Sequence, residues 1–194
     1  MLKALHFART LIADVLTPGA CAVDATAGNG HDTEFLAGLV GPTGIVYAFD
    51  IQEQAITATR ERLRTAGFEE RVRLVHDGHE RMKEHIDPVQ HGYVNAIMFN
   101  LGYLPRGDKN ITTQKHTSLA AIESAVELLA PNGIVTIMFY PGHPEGAEEA
   151  ALISTWAGGL PQTQYQVLRY DFINLLNNPP WLLAIQKNAA LSAL

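Results

Sequence analysis

The sequence is poor in cysteine, with one in 194 residues. A lone thiol closes no internal disulfide, so no cross-link framework is expected. Cys21 lies in an apolar run and reads as a small buried hydrophobe. No apolar run reaches the roughly 18 residues that a membrane-crossing helix requires. Residues 1–16 lack the continuous apolar centre of a signal peptide, because Lys3, Arg9 and Asp14 interrupt them. Positive charge is scarce as well: 14 Lys and Arg stand against 20 Asp and Glu, a net charge of −6. This argues against a broad basic surface for nucleic acid, though not against a local patch. Internal repeats, low-complexity segments and linkers are absent too. What remains is 47% hydrophobic and 18% charged. That composition fits a single domain over residues 1–194 with a sizeable core. A cytoplasmic location is expected, with no membrane partner and no assigned metal site.

Apolar spacing predicts helices over residues 4–16, 33–40, 54–66, 80–85, 118–129 and 148–158. Strand-length apolar runs cover 20–25, 45–49, 72–75, 94–99, 134–140, 165–170 and 182–186. Turn residues punctuate them at 17–19, 41–44 and 131–133, and Gly67 caps the third helix. The first helix reads as a covering helix, with His6 and Arg9 one turn apart on its solvated side. Strands alternating with helices predict an α/β, Rossmann-like, doubly wound sheet of seven strands, mostly parallel. The last two strands have no helix between them and read as an antiparallel edge. Ligands of such sheets bind beyond the carboxyl ends of the strands. Asp24, Asp50, Asp77, Asn100 and Tyr140 all stand at such ends.

The stretch Asp24-Ala25-Thr26-Ala27-Gly28-Asn29-Gly30-His31-Asp32 joins the first strand to the next helix. Gly28 and Gly30 permit a sharp turn and close approach of a ligand to backbone. The helix start adds unpaired N–H groups and a positive dipole end. Dinucleotide sites use the same device, but with a third glycine that this turn lacks. Asp24 decides between ligands: a carboxylate beside the turn repels a pyrophosphate and attracts an ammonium or sulfonium. It points away from NAD and towards S-adenosylmethionine (SAM). Asp50 suits both hydroxyls of an adenosine ribose. Gln52 either assists there or simply starts a helix. Asn29 is either a contact to the methionine end or a left-handed turn residue. Asp32 is either a first-turn acid or a group that faces a cationic amine.

Asp24-x-x-x-Gly28-x-Gly30 resembles the first motif of class I SAM-dependent methyltransferases. Together with Asn100-Leu101-Gly102-Tyr103-Leu104-Pro105, the longer string resembles a narrower group, the small bacterial rRNA methylase family. Some of its members methylate the aminomethyl group on the wobble uridine of transfer RNA. The likeness extends over about residues 4–187. It implies the class I methyltransferase fold, SAM as cofactor and a tRNA anticodon stem-loop as partner. It also implies a cofactor set of Asp24, Thr26, Gly28, Asn29, Gly30, Asp32, Asp50, Gln52, Asp77, His79 and Asn100. In that set Asp77 accepts from the adenine amino group, or else caps a helix; His79 packs on adenine, or else is solvated.

Asn100-Leu101-Gly102-Tyr103 resembles the Asn-Pro-Pro-Tyr corner of amino methyltransferases. There the Asn oxygen and the next carbonyl accept hydrogen bonds from the target nitrogen. Leu-Gly in place of Pro-Pro puts stacking by Tyr103 in doubt, which favours a flexible alkylamine over a planar base amine. Asn100 and the Leu101 carbonyl are expected to orient the nitrogen, with Asp32 and His143 as candidate proton acceptors. Tyr103, Arg106, Lys109, Tyr140, Gly142 and His143 are the expected RNA contacts, because unpaired bases stack on aromatics and cations hold phosphates. Trp181 reads as core or interface rather than as a stacking platform. A homodimer is compatible with the apolar first helix. The rival readings are methylation of rRNA or of a small amine, and non-catalytic SAM binding; the Asn100 corner speaks against the last.

Overall fold

The computed structural model describes residues 1–102, 113–142 and 144–189. In chain order the elements are α1 (Ala4–Val15), β1 (Cys21–Asp24), α2 (His31–Val40), β2 (Ile45–Asp50), α3 (Glu53–Ala66), β3 (Val72–His76) and α4 (Met82–His85). They continue with β4 (Val94–Leu101), α5 (Lys115–Leu128), β5 (Leu129–Phe139), α6 (Pro144–Gly158), β6 (Tyr165–Tyr170) and β7 (Trp181–Lys187). The seven strands form one sheet in the order β3-β2-β1-β4-β5-β7-β6. β1 to β5 pair in parallel, and β7 runs antiparallel between β5 and β6. This is the expected doubly wound architecture with its antiparallel edge.

The strand period of two explains how the sheet is sandwiched. On β1, Cys21 and Val23 face one side and Ala22 the other. The first side packs under α5 and α6 through Ala121, Ile122, Ala125 and Ile153. The second packs under α1, α2 and α3 through Ile12, Leu36 and Leu63. Both faces are covered, so all four residues of β1 are buried and no polar alternation shows. Cys21 is among them, and burial pushes its thiol up to about 12. Trp181 is core: its ring lies 4.5 Å from Phe139, with the Arg169 guanidinium 4.3 Å above it.

Strand order reverses between β1 and β4, so the crevice of the sheet opens beyond Asp24 and Asn100. α6 and β5 depart most from the expected bounds. α6 starts at Pro144, because proline at a first helical position forfeits no hydrogen bond. β5 begins at Leu129 and absorbs the predicted turn at 131–133: Asn132 takes φ 63° and the pairing with β4 shifts register between Val94 and Ala96. Among the described residues, no helix is long and apolar enough to cross a membrane.

Candidate active site

The glycine turn is built by its neighbours. Gly28 and Gly30 adopt φ of 54° and 78°. Gly30 has a second constraint: a Cβ there would stand 2.9 Å from the Thr59 Cα on α3. Thr59 Oγ1 donates to the Gly28 carbonyl at 3.1 Å, and Arg62 Nε donates to the Asn29 carbonyl at 2.8 Å. α3 therefore pins both carbonyls outward and leaves the opposite side of the turn to a ligand. Among the described residues, the positive-φ residues other than glycine are Asn132, Asn177 and Asn178, so Asn29 is not the left-handed turn residue it might be read as; the glycines on either side take that role.

Asp24 is completely buried. Its Oδ2 accepts from Thr33 Oγ1 at 2.6 Å and its Oδ1 from the Thr26 N–H at 3.1 Å. Burial, followed by the charge of Asp32, pushes its carboxyl up to about 7 despite these donors. Asp50 adds a smaller push of the same sign. Three carboxylates thus converge on one turn, an arrangement hostile to phosphate and suited to a cation.

Asp50 accepts from two backbone N–H groups, Gly28 and Gln52, at 2.9 Å each, one on each oxygen. A carboxylate oxygen holds more than one donor, so both oxygens retain capacity for a pair of hydroxyls. The Gln52 side chain instead accepts from Gln54 at 3.0 Å, beside the start of α3. Thr26 does not stand free either: its Oγ1 accepts from the Asn100 N–H at 2.8 Å, which ties the end of β4 to the turn.

Asp77 does not cap a helix with its side chain. Its Oδ2 is held by His85 at 2.7 Å and Arg81 at 3.0 Å, and its Oδ1 accepts from the Gly78 N–H at 2.8 Å. The His85 hydrogen bond, above all, holds this carboxyl below the usual range. His79 is not a solvated histidine: its Nδ1 lies 3.1 Å from the Ala25 carbonyl and its ring meets Phe99 edge-on at 5.7 Å. Burial lowers its pKa, so the ring is neutral near pH 7 and Nδ1 carries the proton for Ala25.

The acceptor side is organised by Asp32. Its Oδ2 accepts from Asn100 Nδ2 at 2.8 Å. Its Oδ1 takes Arg9 Nε at 2.9 Å and Arg9 Nη2 at 2.6 Å. The amide nitrogen is committed to a carboxylate, which fixes the acceptor Oδ1 as the other end of the same planar amide. Leu101 follows as the last residue of β4, its side chain buried. Tyr140 follows β5, 37% exposed, and packs beside Gly102. Burial raises its hydroxyl pKa, and the charge of Asp32 adds to the effect, which places the hydroxyl in the field of that carboxylate. Around Gly142 the backbone is open. Tyr103, Arg106, Lys109 and His143 lie outside the described residues.

Sequence reasoning missed Arg9, which it left on a solvated helix face, and missed Thr33, Thr59 and Arg62. Thr59 carried a signal, being a polar residue on the inward face of α3 with Ala55, Ile56 and Leu63. Arg9 carried none, since its partner lies 23 positions away.

A profile of the family described as "Putative rRNA methylase" matches residues 46–186. The chloroplastic tRNA (mnm(5)s(2)U34)-methyltransferase of Arabidopsis thaliana is 36% identical over 180 residues, which is 89% of this chain and 65% of that protein. The chain thus spans just under two thirds of that relative's length. A crystal structure from Clostridium thermocellum under the same description as the family is 42% identical with a TM-score of 0.92, covering 96% of this chain and 98% of that one. SMU.1697c from Streptococcus mutans, described as a "putative methyltransferase" and solved in complex with SAH, is 35% identical with a TM-score of 0.87, covering 96% and 99%. The sheet, the glycine turn and these likenesses agree: the chain belongs to the rRNA methylase family, on the class I methyltransferase fold.

Proposed function

We propose that this protein is a SAM-dependent N-methyltransferase that methylates the aminomethyl nitrogen of 5-aminomethyl-(2-thio)uridine at the wobble position of tRNA. The observation that carries the reading is the orientation of Asn100. Its amide nitrogen donates to Asp32 at the end of β4, and its oxygen, a hydrogen-bond acceptor, is the group assigned to the substrate. An acceptor there suits an N–H of a target amine.

The residues fit SAM. Asp50 offers a carboxylate to the ribose, Asp24 an anionic floor beneath the cation, and the turn at Gly28 and Gly30 a close approach to backbone. When bound, SAM supplies a methyl on a cationic sulfur, which leaves with the bonding pair as the amine lone pair forms the new C–N bond. The chain's own part is positioning. Asn100 Oδ1 and the Leu101 carbonyl accept the two N–H groups and aim the lone pair, and alignment of this kind supplies much of the rate. An alkylammonium has no lone pair and must first lose a proton. Burial lowers the pKa of the amine and favours that loss. Asp32, engaged by Arg9 and Asn100 on separate oxygens, acts as an electrostatic and orienting group more than as the base.

The similarity to a tRNA wobble methyltransferase supports the tRNA substrate, as does the absence of a Pro-Pro corner. A second reading, rRNA as substrate, is favoured by the description of the family profile. The test is methyl transfer to three RNAs: an anticodon stem-loop with 5-aminomethyluridine, the same stem-loop with uridine, and ribosomal RNA. Turnover on the first alone supports the proposal; turnover on ribosomal RNA alone replaces it with the second reading.

A further inference from the structure

We infer that Arg9, on the N-terminal helix, is a positioning residue that fixes which face of the Asn100 amide meets the substrate, acting through Asp32; the inference builds on the amine-methylation reading. The geometry divides the Asp32 carboxylate cleanly. Both Arg9 contacts, Nε at 2.9 Å and Nη2 at 2.6 Å, fall on Oδ1, and the Asn100 amide takes Oδ2 at 2.8 Å. Arg9 is itself held. Its Nη2 reaches the His31 carbonyl at 3.5 Å, and its Cζ lies 5.2 Å from the Phe35 ring centroid. α1 is therefore more than a cover for the sheet, since one of its side chains is wired to the end of β4.

The consequence is chemical. An amide has two faces that differ only in hydrogen-bond sense, an N–H₂ donor and an oxygen acceptor. An ionised Asp32 accepts only, so it selects the N–H₂ and sends the oxygen to the substrate. A protonated Asp32 also donates, so it accepts the reversed amide equally well, and the N–H₂ would then face an amine that needs an acceptor. Asp24 on β1 brings like charge to Asp32, and Tyr140 after β5 offers no positive charge. His31, adjacent on α2, is turned to Arg62 at 3.2 Å. Arg9 on α1 is the cation that contacts this carboxylate, and a guanidinium stays charged at every working pH.

The test follows the amide itself. In protein labelled with ¹⁵N, the Asn100 side-chain resonance is titrated by NMR from pH 5 to 8.5 in the wild type, Arg9→Met and Arg9→Lys, alongside kcat and KM over the same range. Arg9 is a third exposed, and its removal leaves the core residues Ala8 and Ile12 in place. Arg9→Gln substitutes should the Met variant fail to fold. The expected result for Arg9→Met is an Asn100 side-chain amide resonance displaced from its wild-type position across this pH range. At pH 7 kcat should fall about 10- to 100-fold with KM changed less than threefold, and Arg9→Lys should recover part of the loss. An unmoved amide resonance and an unchanged kcat, with only a lower melting temperature, overturn the inference. The NMR arm needs no turnover. A wild type that is inactive on the aminomethyl uridine therefore sinks the substrate reading, while Arg9 is judged on the amide resonance alone.

Discussion

Thr33 Oγ1 donates to Asp24 Oδ2 at 2.6 Å across the first turn of α2, in a place where Asp24 has no solvent contact at all. That hydrogen bond favours the ionised carboxyl, yet burial and Asp32 outweigh it and bring the group to about 7. The residue expected to greet a cation is thus held towards its protonated form before the cation arrives. A cationic ligand favours the ionised form, so binding near pH 7 should expel a proton. The sign follows: affinity for SAM should climb as pH rises from 5.5 to about 7 and flatten above it. Calorimetry in two buffers of different ionisation enthalpy should show proton release at pH 6.5; equal enthalpies in both would contradict this. The same shift bears on the apoprotein. Between the ordinary value of 3.8 and about 7, the native state holds a proton that the unfolded chain releases, so this group's contribution to stability declines as pH rises through that window.

Asp50, proposed to hold the ribose, accepts from the Gly28 and Gln52 N–H groups, one on each oxygen. Asp50→Ala should weaken SAM binding about 10- to 100-fold, the worth of ~1.5–3 kcal/mol that hydrogen bonds to a charged group carry. Unchanged affinity in a titration would remove Asp50 from the ribose role.

Asn100 donates its side-chain amide to Asp32 and its backbone N–H to Thr26, and the proposed role of its oxygen is to orient the amine. Only the side chain is lost in Asn100→Ala, so SAM affinity should stay within about threefold while kcat drops on the order of 100-fold, the scale of one lost orienting group. Normal turnover would discard the orienting role.

Gly30 answers to conformation and to space together, with φ 78° and a Cβ position 2.9 Å from the Thr59 Cα. Gly30→Ala places a Cβ in the left-handed region, at about 1–2 kcal/mol, before any clash with α3 is counted. For a chain of this size the melting temperature should fall by about 3–8 °C, with SAM binding lost alongside. A variant as stable as the wild type would show that the turn yields easily.

The sheet was legible because strands buried on both faces read as short apolar runs, and the polar residues that end them stand out. Asp24, Asp50 and Asn100 were found in that way. The roles those residues share could not be read, because each is set by a contact across elements. Asn100 has its amide turned by a residue 68 positions away, and Asp77 is occupied by His85 and Arg81 on a short helical segment whose outward direction no spacing reveals. Arg9 illustrates the limit best. Helical periodicity assigns it to solvent, and only the packing of α1 against β4, β5 and β7 brings it to Asp32. The start of β5 escaped for a local reason: residues 129–130 continue the helical apolar pattern, while Pro131 and the positive φ of Asn132 turn the chain into the ladder instead.

Mass spectrometry of nucleosides from tRNA incubated with the protein and SAM puts the aminomethyl nitrogen to the most direct trial. One added methyl on 5-aminomethyl-2-thiouridine, on the nitrogen and on no other nucleoside, is the predicted result. An unmodified aminomethyl nucleoside, from protein shown in the same sample to bind SAM, would contradict it.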